Sequence, residues 1–347
     1  MRRAEGARVL VSRPRNSMCF VAIKMDRLEK QPTDLRQNTC YFGDGTLHVM
    51  NLGWMLCASL LLAASAPGGE RTALQSSPGT QTNNGGTPTW SFDLDSDYTL
   101  GSSIQKYSSF GPQAGYHYEI EVLRDFPLFD KYSLQLGLDS ERFAFSRSNS
   151  LFPYAMTSVA AEIAVSYWDG DEFFPLLKIE PGFFYTRDYI TENSFDIPIR
   201  VAFGFKVYKE VHLVLGFSAD RFQQIPIFPV AGFNWEINDK LNLRAVFPEP
   251  RFSYTPNDSV EFFLAGQYAG GTYRNGPSND TRTNEALLEY TEIRTGTGIS
   301  YTLKKGISIE ATAGWTFQRE FNYFRIGPDI KTRGSPYIRL ETTIHFF

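Results

Sequence analysis

From Trp90 to the end of the chain, apolar and polar side chains alternate one for one through segment after segment. The last stretch shows it plainly: Ile338, Leu340, Thr342, Ile344 and Phe346 fall on one side of an extended strand, with Arg339, Glu341, Thr343 and His345 on the other. Upstream, Tyr116, Tyr118, Ile120 and Val122 oppose His117, Glu119 and Glu121, and Val159 to Tyr167 sets its apolar face against Glu162. Leu177 to Tyr185 opposes Ile179 and Phe183 to Lys178 and Glu180, and Ile197 to Val207 alternates with Arg200 and Lys206. The same period predicts strands at Tyr132 to Leu138, Leu213 to Phe217, Ala231 to Ile237, Leu241 to Phe247, Val260 to Tyr268, Leu287 to Leu303 and Ile307 to Phe317. Trp90 to Thr99 also alternates, but Asp93, Asp95 and Asp97 make it the weakest of the set.

One greasy and one ionic face on every strand predict a transmembrane antiparallel up-and-down β-barrel, apolar outside and polar inside, over residues 90–347. After Ala66 no apolar run reaches the roughly 18 residues of a membrane helix, so a closed sheet is the available way to span a bilayer. Short connections at 169–172, 208–210, 238–240, 256–258 and 304–306 alternate with longer ones at 140–155, 187–195, 219–229, 271–285 and 318–335. That is the rhythm of short periplasmic turns and long external loops. Pro248-Glu249-Pro250 is short where a long loop is due. Counting it as a hairpin gives about fourteen strands; treating it as a kink, and dropping Trp90 to Thr99, gives twelve. A soluble β-sandwich would instead bury the Phe, Leu and Val stripes between two sheets.

Composition sharpens this picture. Aromatics are 15 % of the chain, with 29 Phe and 18 Tyr, yet mean hydropathy is only −0.28, which suits strands half in lipid and half in water. Residues 1–66 hold nine Lys/Arg against five Asp/Glu, leaving 25 against 33 in residues 67–347. A body this acidic argues against a nucleic-acid partner. Cys19, Cys40 and Cys57 all precede Ala66. If that segment is removed, no disulfide or thiolate metal site remains.

Residues 1–49 are basic and lack apolar periodicity, and read as an over-extended N-terminus with translation starting at Met50 or Met25. Leu52 to Ala66 is an apolar run ending in Ala64-Ser65-Ala66, so 50–66 is expected to be a secretory signal peptide, with a buried or anchoring helix as the alternative. Cys57 lacks the preceding small residues that lipidation requires. Residues 67–89 form a Gly/Ser/Thr/Asn/Gln-rich flexible leader.

The run Pro248-Glu249-Pro250-Arg251-Phe252-Ser253-Tyr254, then Pro256-Asn257-Asp258, then Gly270-Gly271-Thr272-Tyr273-Arg274, resembles an uncharacterised family of outer-membrane β-barrels classed as a domain of unknown function. The likeness extends over roughly 90–347, with the motifs confined to 248–274. It implies a membrane location and no established activity. The terminal strand is similar to the assembly signal of such proteins, except that the lipid-facing register ends at Phe346 and leaves Phe347 as an extra residue.

Inward positions carry both signs: Glu119, Glu121, Glu162, Lys178, Glu180, Arg200, Lys206, Glu236, Arg244, Glu310, Arg339 and Glu341. As a channel lining, they would set up a transverse field that selects polar solutes. Alternatively they pair across strands and plug a narrow lumen, because an isolated charge in a dry interior is costly. An enzyme would need a positioned His base. His117, with Glu119 and Glu121 in register, and His345, with Glu341, are conceivable, as is His212, but no motif sets a serine beside them. Asp169-Gly170-Asp171-Glu172 lacks a calcium loop's twelve-residue frame and reads as a turn. Asn275-Gly276 and Asn279-Asp280 read as external loop. Phe173, Phe174, Phe228, Trp235, Tyr254, Tyr273, Tyr301, Trp315 and Phe317 fit interfacial girdles. The sequence therefore predicts an exported barrel in the outer membrane of a Gram-negative-type cell, in contact with outer-membrane lipid and the barrel-assembly machinery. It would pass small polar or amphipathic solutes passively. A closed structural or adhesive barrel is the alternative, and a lipid-modifying enzyme a further one. No catalytic residue, cofactor or metal is predicted.

Overall fold

A computed structural model describes residues 89–346, apart from 106–110, 130, 147, 149–151, 168–172, 305 and 324–328. The N-terminus, signal-peptide and leader expectations up to residue 88, and the Asp169–Glu172 turn, fall outside the described residues. In chain order the strands are β1 (Thr89–Ser103), β2 (Pro112–Phe129), β3 (Tyr132–Phe145), β4 (Ala155–Tyr167), β5 (Phe173–Ile179), β6 (Gly182–Thr186), β7 (Phe195–Asp196), β8 (Ile199–Tyr208) and β9 (Val211–Ala219). They continue as β10 (Ile227–Asn238), β11 (Leu241–Val246), β12 (Arg251–Asn257), β13 (Val260–Arg274), β14 (Leu287–Lys304), β15 (Ile307–Asn322), β16 (Asp329–Lys331) and β17 (Ser335–Phe346). No α-helix occurs among the described residues.

Three breaks, two of them at prolines, explain why seventeen segments make a fourteen-strand wall. β5 and β6 both pair with β4 and are interrupted at Glu180-Pro181, while their partners β7 and β8 are interrupted at Ile197-Pro198. The bridging bonds Ala161 N–H to the Pro181 carbonyl and Glu180 N–H to the Pro198 carbonyl keep these pairs continuous. β16 likewise leads into β17, both pairing with β15. The weak first strand is real: β1 pairs antiparallel with β2 and with β17, from Trp90 opposite Phe346 to Thr99 opposite Tyr337, and so closes the barrel. Closure leaves no edge at this seam, as a sheet in lipid requires. Pro248-Glu249-Pro250 joins β11 to β12 as a hairpin, after a cis peptide at Phe247–Pro248.

The burial pattern is inside out. Leu138, Ile338 and Leu340 are more than half exposed on the outer face, at 64 %, 58 % and 53 %, while Arg294 and Arg319 are among the largest fully buried side chains. Trp235, Tyr254, Tyr301, Trp315 and Phe317 are exposed outside, as a girdle requires.

Tyr273 is a correction: it is fully buried inside the barrel. It continues the inward face of Glu261 and Gln267 on β13, opposite Leu288 of β14; Gly270, at φ +132°, stands where a Cβ would collide with the Tyr290 carbonyl oxygen. There β13 bends inward until Arg274 forms a parallel bridge with Tyr185 of β6. The expected external loop at 271–285 thus begins as a strap inside the long-loop end. Above the strap, an apolar cap gathers Phe143, Phe152, Phe184, Phe222, Tyr290 and Phe321. The hairpin β11–β12 is short, so β13 leaves β12 at Ala265 and β10 leaves β11 at Gly232. Beyond that level, the rings of Phe228, Phe247 and Tyr268 bridge from β10 to β13, with centroids 5.4 and 5.7 Å apart.

Leu340→Arg, placing a cation in the middle of the outer face of β17, is expected to cost about 2–4 kcal/mol. Lower yield of the heat-modifiable folded form on electrophoresis, against an unaffected Thr312→Ser on the inner face, would show it.

Candidate functional site

The inward alternation of β1, β2 and β3 builds the most charged patch of the lumen. In register, Asp97, His117 and Phe143 form one row; Asp95, Glu119 and Glu141 the next; Asp93, Glu121 and Asp139 the third. Like charges directly opposite destabilise a sheet, so compensation must come from elsewhere. His117 supplies part of it: Nδ1 lies 3.0 Å from Asp97 Oδ2 and Nε2 lies 3.2 Å from Glu141 Oε1. Arg294 of β14 donates to Asp97 at 2.7 Å, and Arg339 donates to Asp95 at 2.9 Å while pairing with Glu341 at 2.9 Å. From β13, the Tyr273 hydroxyl donates to Glu141 Oε2 at 3.2 Å. The strap is thereby tied to this patch.

Two further networks follow the wall. Lys178 sits among Glu162 at 2.6 Å, Glu180 at 3.3 Å and Glu121 at 3.8 Å, with Arg200 3.5 Å from Glu180. Arg251 pairs with Glu261 at 2.7 Å and Glu310 at 2.9 Å. Glu119, Glu121, Glu162, Lys178, Glu180, Arg200, Lys206, Arg244, Glu310, Arg339 and Glu341 all occupy inward positions, and Glu236 shares their face but lies exposed beside the 239–240 turn. The structure gathers Glu121, Glu162, Lys178, Glu180 and Arg200 into one network and Arg339 with Glu341 into another.

Sequence reasoning missed Asp97, Glu141, Arg251, Glu292, Arg294 and Arg319. Their signal was the same alternation: Asp93, Asp95 and Asp97 looked too polar for a strand until β1 is placed with its acids inward. His117 is held by carboxylates on both ring nitrogens, buried in mid-lumen and stacked on Phe143 with centroids 4.4 Å apart. That leaves no ring nitrogen for a serine, as a hydrolase base would need. His117, Glu119 and Glu141 each place one donor atom within 4.8 Å of the others, so these three could hold a metal ion.

The loop ends are clasped separately. Asn275, expected on an external loop, is buried and meets Thr186 and Thr283. At the 187–194 connection, the Arg142 guanidinium and the Tyr154 hydroxyl donate to Asp188 at 2.6 and 2.5 Å and hold its carboxyl below the usual carboxylate range. In the loop between β13 and β14, side-chain and backbone bonds from Arg282 bring Asp280 down to about 2.

Removing Arg294 strips buried Asp97 of its guanidinium partner and leaves it facing the His117 ring, so Arg294→Met is expected to destabilise the barrel by about 3–5 kcal/mol, and Asp97→Asn in the same chain to restore much of it. Denaturant midpoints in detergent micelles measure both. The Asp188 clasp has a depressed folded pKa, so its stabilisation is present above about pH 4 and is lost as pH falls through the lower folded value. Hydrogen exchange of the 187–194 loop should rise on acidification in the native chain, and Asp188→Asn should remove that pH dependence.

No curated protein matches the sequence. Among solved structures, similarity is found to TodX of Pseudomonas putida, a monoaromatic hydrocarbon channel, in its deltaS2 mutant form (10 % identity, 82 % of this chain and 98 % of that one, TM-score 0.49). An outer membrane channel from Pseudomonas putida F1 (11 %, 75 % and 96 %, 0.43) and LpxR from Salmonella typhimurium (10 %, 74 % and 100 %, 0.38) are similar as well. The barrel itself is established by its strand pairing. Residues 172–325 match the model of a domain of unknown function, DUF6268, and the motif-bearing stretch 248–274 lies inside that match. Within the fourteen-strand barrel, the wall from β5 to β15 is thus similar to DUF6268, a domain of unknown function.

Proposed function

We propose that the protein is an outer-membrane channel for small polar or amphipathic solutes, shut in this conformation by the inward end of β13. The observation that carries the reading is the gradient of exposure along the lumen. Toward the short-turn end, the side chains of Arg251, Glu121 and Glu261 are 19 %, 23 % and 31 % exposed, as in a hydrated vestibule; at the level of the strap, Arg294 falls to 2 %. What separates the vestibule from the outside is a strand end, Gly270 to Arg274, and the side chains packed over it. A displacement of that strand end together with Leu287 to Thr291 of β14, with which it pairs, would join the two. The export signal, the outer-membrane address in a Gram-negative-type cell, and reading of the terminal strand by the barrel-assembly machinery belong to the same proposal. The stack of Trp90 on Phe346 at the seam, with centroids 6.4 Å apart, fits a closure that depends on the last strand.

A second reading, a closed structural barrel, is favoured by the pairing of Lys178, Arg251, Arg294 and Arg339 with carboxylates. Catalysis finds no such support. Both ring nitrogens of His117 face carboxylates.

Single-channel recording in planar bilayers separates the readings. Unitary steps are expected, with ion selectivity altered by Arg200→Glu and by Glu310→Lys. Tyr273→Phe removes one buried hydrogen bond, worth about 1.5 kcal/mol, and should raise the open fraction about tenfold. A folded, inserted protein that stays silent in all forms leaves the closed barrel in its place.

A further inference from the structure

We propose that His117, Glu119 and Glu141 form a binding site for a divalent cation of the zinc class on the lumen wall. The backbone sets up the donors. His117 and Glu119 are two residues apart on β2 and face the same way, and Glu141 of β3 is the register partner of Glu119. One donor atom from each lies within 4.8 Å of the other two. His117 Nε2 and Glu141 Oε1 are 3.2 Å apart. Metal bonds of about 2.0–2.2 Å at tetrahedral to octahedral angles put neighbouring donors roughly 3.0–3.5 Å apart, so this pair already has the spacing of two ligands on one ion.

The surroundings have the form that a metal-bound imidazole needs. Nδ1 of His117 faces Asp97 Oδ2 at 3.0 Å, and Asp97 is itself held by Arg294 at 2.7 Å. A carboxylate on the far ring nitrogen fixes the tautomer and aims the near one. The other oxygen of Glu141 accepts from the Tyr273 hydroxyl, which orients the carboxylate with Oε1 toward the His117 ring. Glu119 supplies the need for a cation: its carboxylate stands opposite that of Glu141, and no hydrogen bond or ion pair reaches it among the described residues. Two facing carboxylates in a poorly hydrated wall repel, and a divalent ion between them removes that cost. One imidazole with two carboxylates suits zinc and its transition-metal neighbours; calcium takes six to eight oxygens, and magnesium keeps most of its water. The site does not depend on whether the lumen conducts.

Equilibrium dialysis of the chelator-stripped, folded protein against micromolar Zn2+, with metal counted by mass spectrometry, tests the site. One zinc per chain is expected, retained by Glu310→Gln and lost in His117→Gln and in Glu119→Gln. Asp97→Asn should weaken it about 10–100-fold. Variants enter the comparison only if they show heat-modifiable migration. If none folds, Cu2+ bound to the native protein must show nitrogen hyperfine splitting from a histidine. Wild-type protein that binds no zinc overturns the proposal. So does zinc retained in the His117→Gln, Glu119→Gln double variant, displacement by equimolar Ca2+, or copper without a nitrogen signal.

Discussion

A backbone amide in hydrocarbon must find its partner within the protein, and that constraint organises everything else in this chain. A sheet satisfies it only by closing, so β1 has to meet β17, and the three aspartates of β1 have to be accommodated on whichever side is not lipid. Once the seam is made, alternation sends every second side chain inward. The result is a wall whose exposed residues are leucines, isoleucines and aromatics, and whose most buried residues include two arginines. Along the wall the apolar side chains face lipid, and inside the protein they gather in the cap at the long-loop end.

The inward set then faces its own problem. Three adjacent strands bring Asp93, Asp95, Asp97, Glu119, Glu121, Asp139 and Glu141 to one wall, and strand register alone offers them no cation but His117. The structure resolves this from a distance: Arg339 comes from the next strand, Arg294 from β14, and Lys178 from β5. Such pairs fix geometry more than they add stability. They hold the wall at a defined diameter and give Tyr273 a fixed acceptor to hold. Shape at the long-loop end then follows from two local facts, a short hairpin at Pro248-Glu249-Pro250 and a left-handed glycine at 270.

Much of this was legible in the sequence, because the period of two survives in any antiparallel strand with one lipid face. The barrel, its antiparallel topology, the lumen positions and the outward girdle of Trp235, Tyr254, Tyr301, Trp315 and Phe317 all follow from parity. Parity also explains what was misread. Tyr273 shares the inward face of Glu261 and Gln267 on the same strand, so parity carried to the end of β13 places it inside; reading 271–285 as a loop cut that count short. Asp93, Asp95 and Asp97 argued against a strand only while their compensating arginines, some 200 to 250 residues away, were unknown. Pairings of that kind are set by closure, which no local window contains.

The central claim is that the end of β13 shuts an otherwise hydrated lumen, and a tether tests it most directly. Tyr185 and Arg274 are bridge partners, so cysteines placed at both positions lie within the roughly 4.4–6.8 Å Cα separation that a disulfide spans. The account predicts that the oxidised double variant does not conduct in a planar bilayer and that reduction restores unitary steps. Equal conductance in the oxidised and reduced forms would contradict it.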